Sequence, residues 1–177
     1  MNVNFVESYK EKRRTIISAY IPKYVRGIDG CTTQAFPGAT VARLADFVSN
    51  GRINLKNINF VIVHVETNNV SSSQSLDTIL SYYGDLIHRI KSKTDAKIMF
   101  TSLLPRLVNF KLSERKLNKV NSELRKLCNR RSLLFCNLYR SFLHNNKPDP
   151  SFYAPKEQSY SERKLSLLSN ISVYRLL

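Results

Sequence analysis

The chain has 177 residues, which suffice for one α/β domain with a core on both faces of a sheet but not for two full domains. Its hydrophobic share of 42%, with only 5 glycines and 6 prolines, excludes a collagen-like or low-complexity chain. With 28 Lys and Arg against 13 Asp and Glu, the net charge of +15 favours polyanionic partners such as nucleic acid or acidic membrane surfaces.

Two further features bear on cellular location and cofactors. No apolar run approaches the roughly 20 residues that cross a bilayer, and residues 1–14 are too polar for a signal peptide, so we expect an intracellular protein, cytoplasmic or nuclear. Cys31, Cys128 and Cys136 are odd in number and lack Cys-x-x-Cys spacing, which predicts free thiols. No cofactor or metal is predicted, because no ligand cluster has metal-binding spacing and no glycine-rich phosphate loop occurs.

The chain divides into a basic leader over residues 1–13, expected to be flexible, and a single domain over residues 14–177. In the first half of the domain, a β-branched strand over residues 15–17 precedes a sharp turn and a helix. A second extended segment covers residues 31–36. The strongest strand, residues 59–65, is almost continuously apolar, which is typical of a central strand covered on both faces. A helix between these strands is predicted by Val41, Leu44, Ala45 and Val48.

The second half continues the alternation of strands and helices. Crossovers of this length allow parallel pairing, so the pattern predicts a three-layer α/β/α sandwich of about five mostly parallel strands, of the flavodoxin-like kind. The predicted elements are a helix over residues 76–90, a strand over 97–101, a helix with Leu117, Val120, Leu124 and Leu127 on one face, a strand over 133–137, a polar loop over 144–155 and a helix over 161–177.

Two segments lie at the carboxyl ends of the predicted strands, where open parallel sheets bind ligands: residues 36–41 after the second strand and residues 64–69 at the end of the central strand. At these segments the chain resembles the SGNH, or GDSL-type, hydrolases. Residues 36–41, Phe-Pro-Gly-Ala-Thr-Val, are similar to the family's second block, in which a glycine N–H serves the oxyanion hole. Residues 64–69, His-Val-Glu-Thr-Asn-Asn, are similar to the third block, whose Asn side chain is another oxyanion donor. The resemblance spans the chain from about residue 14 and implies an esterase fold with oxyanion positions at Gly38 and Asn68.

The resemblance also implies where the catalytic residues belong, and this chain departs from the family there. Tyr20 stands at the serine nucleophile, and Lys156 and Ser159 stand at the aspartate and histidine of the Asp-x-x-His pair. Glu66 replaces the third-block glycine and brings a carboxylate where a developing oxyanion needs donors. A phenol with an ordinary pKa of about 10 and no adjacent base is a poor nucleophile. We therefore predict a catalytically degenerate domain, a pseudoenzyme.

An active SGNH-type esterase with displaced catalytic residues is the alternative. In that case Ser18 would be a shifted nucleophile, although a serine at a strand end is far more often a hydrogen-bonded turn residue. His144 precedes the catalytic segment and would act as base for Ser159 or Ser161. His64, by contrast, lies inside the central strand, where we expect a hydrogen-bonded core imidazole. Glu66 is either a solvated loop acid or a group that closes the oxyanion hole or pairs with Lys156.

The basic charge is concentrated between residues 86 and 131. This segment contains thirteen Lys and Arg residues and three Asp and Glu residues, and so contributes +10 of the net charge. This segment is either a solvated helix face with cations near its C-terminus or a phosphate-binding face. Few aromatics are within reach, Phe110 and Tyr139 being the best placed, so backbone contact to RNA or another polyanion is favoured over base stacking. The candidate polyanion-binding residues are Arg115, Lys116, Lys119, Lys126, Arg130 and Arg131.

Overall fold

A computed structural model describes residues 13–19, 31–65, 74–107 and 110–152. Strands and helices alternate along these residues, as the sequence predicts, and all the strands of the main sheet are parallel. The elements are β1 (Arg14–Ser18), β2 (Cys31–Ala35), α1 (Val41–Ser49), β3 (Phe60–His64), α2 (Leu76–Lys91), β4 (Lys97–Thr101), α3 (Phe110–Arg130) and β5 (Leu134–Cys136).

The five strands form one sheet in the order β2-β1-β3-β4-β5. This is the flavodoxin-like order of doubly wound α/β proteins, and it confirms the predicted fold class. β3 lies at the centre of the sheet and each of its residues is buried, which confirms the prediction made from its apolar run. The predicted single domain over residues 14–177 stays a prediction beyond the described residues.

Side chains on the two faces of the sheet form two apolar clusters, because successive residues of a strand point to opposite faces. On one face Ile17, Val63 and Phe100 pack in a single cluster with buried residues of α1, α2 and α3. On the other face Ile16 and Ile62 belong to a second cluster and are also buried. Burial of both faces is what a three-layer sandwich requires. No helix in the described part of the chain is long and apolar enough to span a bilayer.

The helices begin at capping residues and bury the predicted stripes. Thr40 caps α1 by accepting the N–H of Arg43 at 3.2 Å, and all four predicted residues of α1 are buried. In α3 three of the four residues predicted on the apolar face are fully buried, and the fourth, Leu127, packs against the core from its margin. Leu127 is only half-buried and Cys128 is fully buried, because residue 128 lies eleven residues, about three helical turns, after the buried Leu117.

The segment after β5 also differs from the prediction. The sequence predicts a polar loop over residues 144–155, but a short antiparallel hairpin, β6 (Leu143–His144) and β7 (Lys147–Pro148), lies partly within it. Asn145 and Asn146 both have positive φ at the tip of the hairpin, as two-residue hairpin turns require. The predicted final helix, over residues 161–177, lies outside the described residues.

Candidate functional site

The strand order places a topological switch point at the carboxyl edge of the sheet, the edge where the strands end. β1 lies between β2 and β3, so the connections that leave β1 and β3 run to opposite sides. Open α/β sheets bind ligands at such a switch point. The described residues that end these strands are Ser18 and Ala19 from β1 and His64 and Val65 from β3, and all four are buried.

Gly38 lies in the turn after β2, beside the end of β1. Its φ of 73° is in the left-handed region that favours glycine. Its N–H donates to the carbonyl of Ala19 at 2.9 Å, while the N–H of Phe36 donates to the carbonyl of Ser18 at 2.8 Å. An oxyanion donor must direct its N–H at the reacting oxygen. The predicted oxyanion role of Gly38 stays a prediction, and it requires the bond to Ala19 to break.

His64 is the last residue of β3, and the last residues of the two neighbouring strands, Ser18 of β1 and Thr101 of β4, are also polar and buried. Nδ1 of His64 lies 2.8 Å from Oγ1 of Thr101. On the other side His64 pairs in register with Ser18 of β1, so the side chains of these two residues share one face of the sheet. The expectation of a hydrogen-bonded core imidazole is confirmed. Ser18 is the last residue of β1, at the strand end where the sequence predicted it, and it pairs in the sheet instead of lying in a turn.

Two polar residues that hold the loop after β4 have no signal in the local sequence. Asn121 of α3 accepts the N–H of Leu103 through Oδ1 at 2.8 Å and donates from Nδ2 to the Leu103 carbonyl at 3.0 Å. Ser102 is fully buried, and its Oγ accepts the N–H of Leu138 at 2.9 Å. Both contacts join segments that are distant in sequence. Together they position the carboxyl ends of β4 and β5.

The other predicted positions of the esterase site lie outside the described residues, so catalytic degeneracy stays a prediction. His144, the alternative base, is an exposed residue of the β6–β7 hairpin. The positions outside the described residues are Tyr20 for the nucleophile, Glu66 and Asn68 in the third block, and Lys156, Ser159 and Ser161 near the catalytic pair.

The outer side of α3 presents a row of exposed cations. The apolar side of the helix is buried against the sheet, so the opposite side faces solvent along its length. Four cations recur there at spacings of four, seven and four residues, which place them on one side of the helix. Three of them form no ion pair with any described residue. We call this row the α3 basic face; it consists of Arg115, Lys119, Lys126 and Arg130.

Glu123 lies beside the α3 basic face and bonds to Lys126 at 2.8 Å, a hydrogen bond that lowers the pKa of the Glu123 carboxyl. Lys116 is half-buried, unlike the four exposed residues of the α3 basic face. It directly precedes the buried Leu117 and therefore lies on the flank of the helix. Arg131 is exposed just after α3, and its carbonyl accepts a hydrogen bond from Nζ of Lys91 at 3.1 Å. The C-terminal ends of α2 and α3 are therefore side by side.

Neither aromatic candidate presents a free ring to a base. Tyr139 is 6% exposed, and burial together with the nearby Glu114 carboxylate raises the pKa of its phenol to about 12. Its hydroxyl is buried without a hydrogen-bond partner among the described residues. Phe110 is half-buried and packs against the core. Both rings therefore pack with the core instead of standing free at the surface.

The three cysteines are free thiols, as predicted. Cys128 is buried in the core, and burial raises the pKa of its thiol to about 11. Cys31 and Cys136 are half-buried, and burial also raises their pKa values. At ordinary pH all three are therefore protonated and poor nucleophiles. Within the described residues, no group of three or more His, Cys, Asp or Glu side chains could hold a metal ion.

Comparison with protein-family models and with curated protein sequences finds no match. Comparison with solved structures finds matches along most of the chain. A GDSL-like lipase from Bacteroides thetaiotaomicron is 16% identical with a TM-score of 0.73, and the match covers 95% of this chain and 90% of that one. A member of the lipolytic G-D-S-L family from Veillonella parvula is 13% identical with a TM-score of 0.72, covering 93% and 100%. A lipase/acylhydrolase from Enterococcus faecalis is 12% identical with a TM-score of 0.71, covering 93% and 95%.

The parallel pairing and the order of the strands therefore define an open α/β protein of the doubly wound class. Within that class, the chain has the fold of the SGNH, or GDSL-type, hydrolases. At these identities the likeness concerns the fold, and activity must be argued from the residues of this chain.

Proposed function

We propose that this chain is a catalytically degenerate SGNH hydrolase-like domain that binds RNA or another polyanion. The observation that supports binding is the α3 basic face. Its cations lie on the solvent side of a helix whose other side is buried, and Glu123, the acid beside them, is bonded to Lys126. A surface that serves only solubility usually carries acidic and basic residues interspersed, whereas the α3 basic face has few acids among its cations.

The geometry of the α3 basic face suits a phosphate backbone. From Arg115 to Arg130 the helix rises about 22 Å, at about 1.5 Å per residue, which spans several phosphates of one strand. Cations that neutralise phosphates release condensed counterions, and this term dominates binding that has little sequence preference. An intracellular location, cytoplasmic or nuclear, is part of the proposal, since nucleic acid and free thiols occur together there.

We expect the wild-type chain to hydrolyse p-nitrophenyl acetate no faster than a Tyr20→Ala variant. In the proposed alignment position 20 replaces the serine nucleophile, and a phenol without a base does not attack an acyl ester at neutral pH. The measurement is the initial rate against ester concentration for both proteins, with a covalent serine probe as a second readout. Saturable turnover that is lost on substitution of Ser18, Ser159 or His144, or labelling of one serine, would establish the alternative of an active esterase.

We expect the triple variant Arg115→Gln, Lys119→Gln, Lys126→Gln to bind a 30-nucleotide single-stranded RNA about tenfold or more weakly at physiological salt. Removing three phosphate contacts from a single strand should also lower the slope of log affinity against log salt by about 2. Fluorescence anisotropy over a salt series measures both quantities. The matched control removes three exposed cations elsewhere, Arg43→Gln, Arg140→Gln and Lys147→Gln. Wild-type binding that ignores salt, or an equal loss in both triple variants, contradicts the proposal.

A further inference from the structure

A groove of about 740 Å³ lies at the amino edge of the sheet, the edge where the strands begin. The first residues of three neighbouring strands contribute to it, because Arg14, Phe60 and Lys97 are partners in the register of β1, β3 and β4. The chain segments before β3 and before β4, residues 55–59 and 93–96, supply the rest of its lining. The groove is therefore at the opposite edge of the sheet from Gly38 and the switch point.

The lining of the groove is strongly basic. Arg14, Lys56, Lys93 and Lys97 contribute four cations against one acid, Asp95. None of these five side chains forms an ion pair with another described residue. Attraction to a helix C-terminus does not account for this cluster, because three of its cations lie in strands or in the segment before β3 rather than at the end of a helix.

The backbone around the groove is held in place by hydrogen bonds. The N–H of Arg13 donates to Oδ1 of Asn59 at 3.1 Å, and the N–H of Asn59 donates to the carbonyl of Arg13 at 2.9 Å. The carbonyl of Asn59 accepts the N–H of Lys97 at 3.0 Å, and Oγ1 of Thr94 donates to the carbonyl of Ile58 at 3.3 Å. The segments before β3 and β4 are thus fixed to each other and to β1, so the cations extend from a preorganised frame.

The α3 basic face ends at the same edge of the sheet as the groove. In a parallel sheet with helical crossovers, the helices end where the strands begin, so α2 and α3 both finish at the amino edge. The bond from Lys91 to the carbonyl of Arg131 joins the two helix ends. Lys93 lies two residues beyond Lys91 and lines the groove. A basic track therefore runs from Arg130 past Lys91 into the groove.

From this track we infer that the groove holds the backbone of a single-stranded RNA whose adjoining segment lies on the α3 basic face. The inference rests on the proposed function and extends it by naming the second contact and the form of the nucleic acid. A concave groove with converging cations suits one strand, as in proteins that bind single strands along a basic groove. The exposed Asn57 adds a side-chain amide to the lining.

The experiment compares three triple variants with the wild-type chain: Lys56→Gln, Lys93→Gln, Lys97→Gln in the groove, the α3 variant, and the control at Arg43, Arg140 and Lys147. All three groove lysines are exposed, so their substitution leaves the core unchanged. The ligands are 30-nucleotide and 10-nucleotide single-stranded RNAs and a 30-base-pair RNA duplex. We expect the groove variant to bind the 30-nucleotide single strand about tenfold more weakly than the wild type. The slope of log affinity against log salt should be lower by about 2. The control should match the wild type.

A second readout uses the wild-type chain only. The 30-nucleotide RNA should protect Lys56, Lys93 and Lys97 from acetylation by an N-hydroxysuccinimide ester, as measured by mass spectrometry, and should leave Lys147 reactive. If the wild-type chain binds none of the RNAs, both the proposed function and this inference fail. This inference alone fails if the α3 variant binds RNA more weakly while the groove variant binds it like the control. It also fails if the groove variant loses as much affinity for the duplex as for the single strand.

Discussion

Replacing Phe100 with alanine is expected to lower the free energy of unfolding by about 3–5 kcal/mol, the range for removing a phenyl ring from a packed core. Phe100 is 0% exposed in β4, next to the central strand. Its ring meets Tyr83 of α2 edge to face, with 5.8 Å between ring centroids. The substitution therefore removes apolar contact between the sheet and α2 as well as an aromatic pair.

The measurement is urea denaturation followed by circular dichroism, with the midpoint and the slope fitted together. Ile98→Val is the matched control, because Ile98 is a buried residue of the same strand and the same apolar cluster. It removes a single methylene and should cost about 0.5–1.5 kcal/mol. A Phe100→Ala variant no less stable than Ile98→Val would contradict the packing described for β4 and α2.

Replacing Asn121 with leucine is expected to lower the free energy of unfolding by about 2–4 kcal/mol. The substitution leaves the N–H and the carbonyl of Leu103 without their partner, and each buried backbone group left unpaired costs about 1–3 kcal/mol. Leu103 is 2% exposed, so water does not readily replace the amide. This contact joins α3 to the loop after β4, so its loss should loosen the carboxyl edge of the sheet.

Two comparisons separate this effect from a general weakening of α3. Asn118→Leu changes an exposed asparagine of the same helix and should alter stability by less than about 0.5 kcal/mol. Asn121→Asp keeps an acceptor for the Leu103 N–H but loses the donor to its carbonyl, so it should fall between the wild type and the leucine variant. Equal stabilities of the two leucine variants would show that the Asn121 bridge contributes nothing.

The candidate esterase site and the basic surface lie on different parts of the fold. Gly38 and the strand ends at the switch point are at the carboxyl edge, whereas the groove and the end of the α3 basic face at Arg130 are at the amino edge. RNA binding on this track would therefore be compatible with either a degenerate or an active esterase site. For this reason the hydrolysis assay at Tyr20 and the binding assays at the α3 basic face and the groove test separate statements.

The sequence predicted the regular elements closely because hydrophobic periodicity is a local property. The strand over residues 97–101 was predicted with its observed bounds, and β3 was predicted as central from its apolar run. The errors are also local in origin. The strand predicted over residues 133–137 is shorter, and the prediction for Lys116 ignored that it lies one residue from a buried leucine.

The candidate site was predictable only in part. The position of Gly38 at the end of β2 followed from the alternation of strands and helices, but its hydrogen bond to Ala19 depends on how the ends of β1 and β2 meet. His64 was expected to be hydrogen-bonded, yet nothing in the sequence named Thr101 as its partner. The cations of the groove come from three separate segments, and sequence spacing does not bring them together.

By itself, then, the sequence determined the alternation of strands and helices, the central strand, the side of α3 that faces solvent and the sign of the charge on it. These properties depend on which residues are apolar and at what spacing, and each is set within about twenty residues. Only the tertiary structure decided which polar groups meet, such as Asn121 with Leu103, and where separate cations converge. Those contacts join residues that are far apart along the chain, and the strand order β2-β1-β3-β4-β5 brings them to one edge or the other.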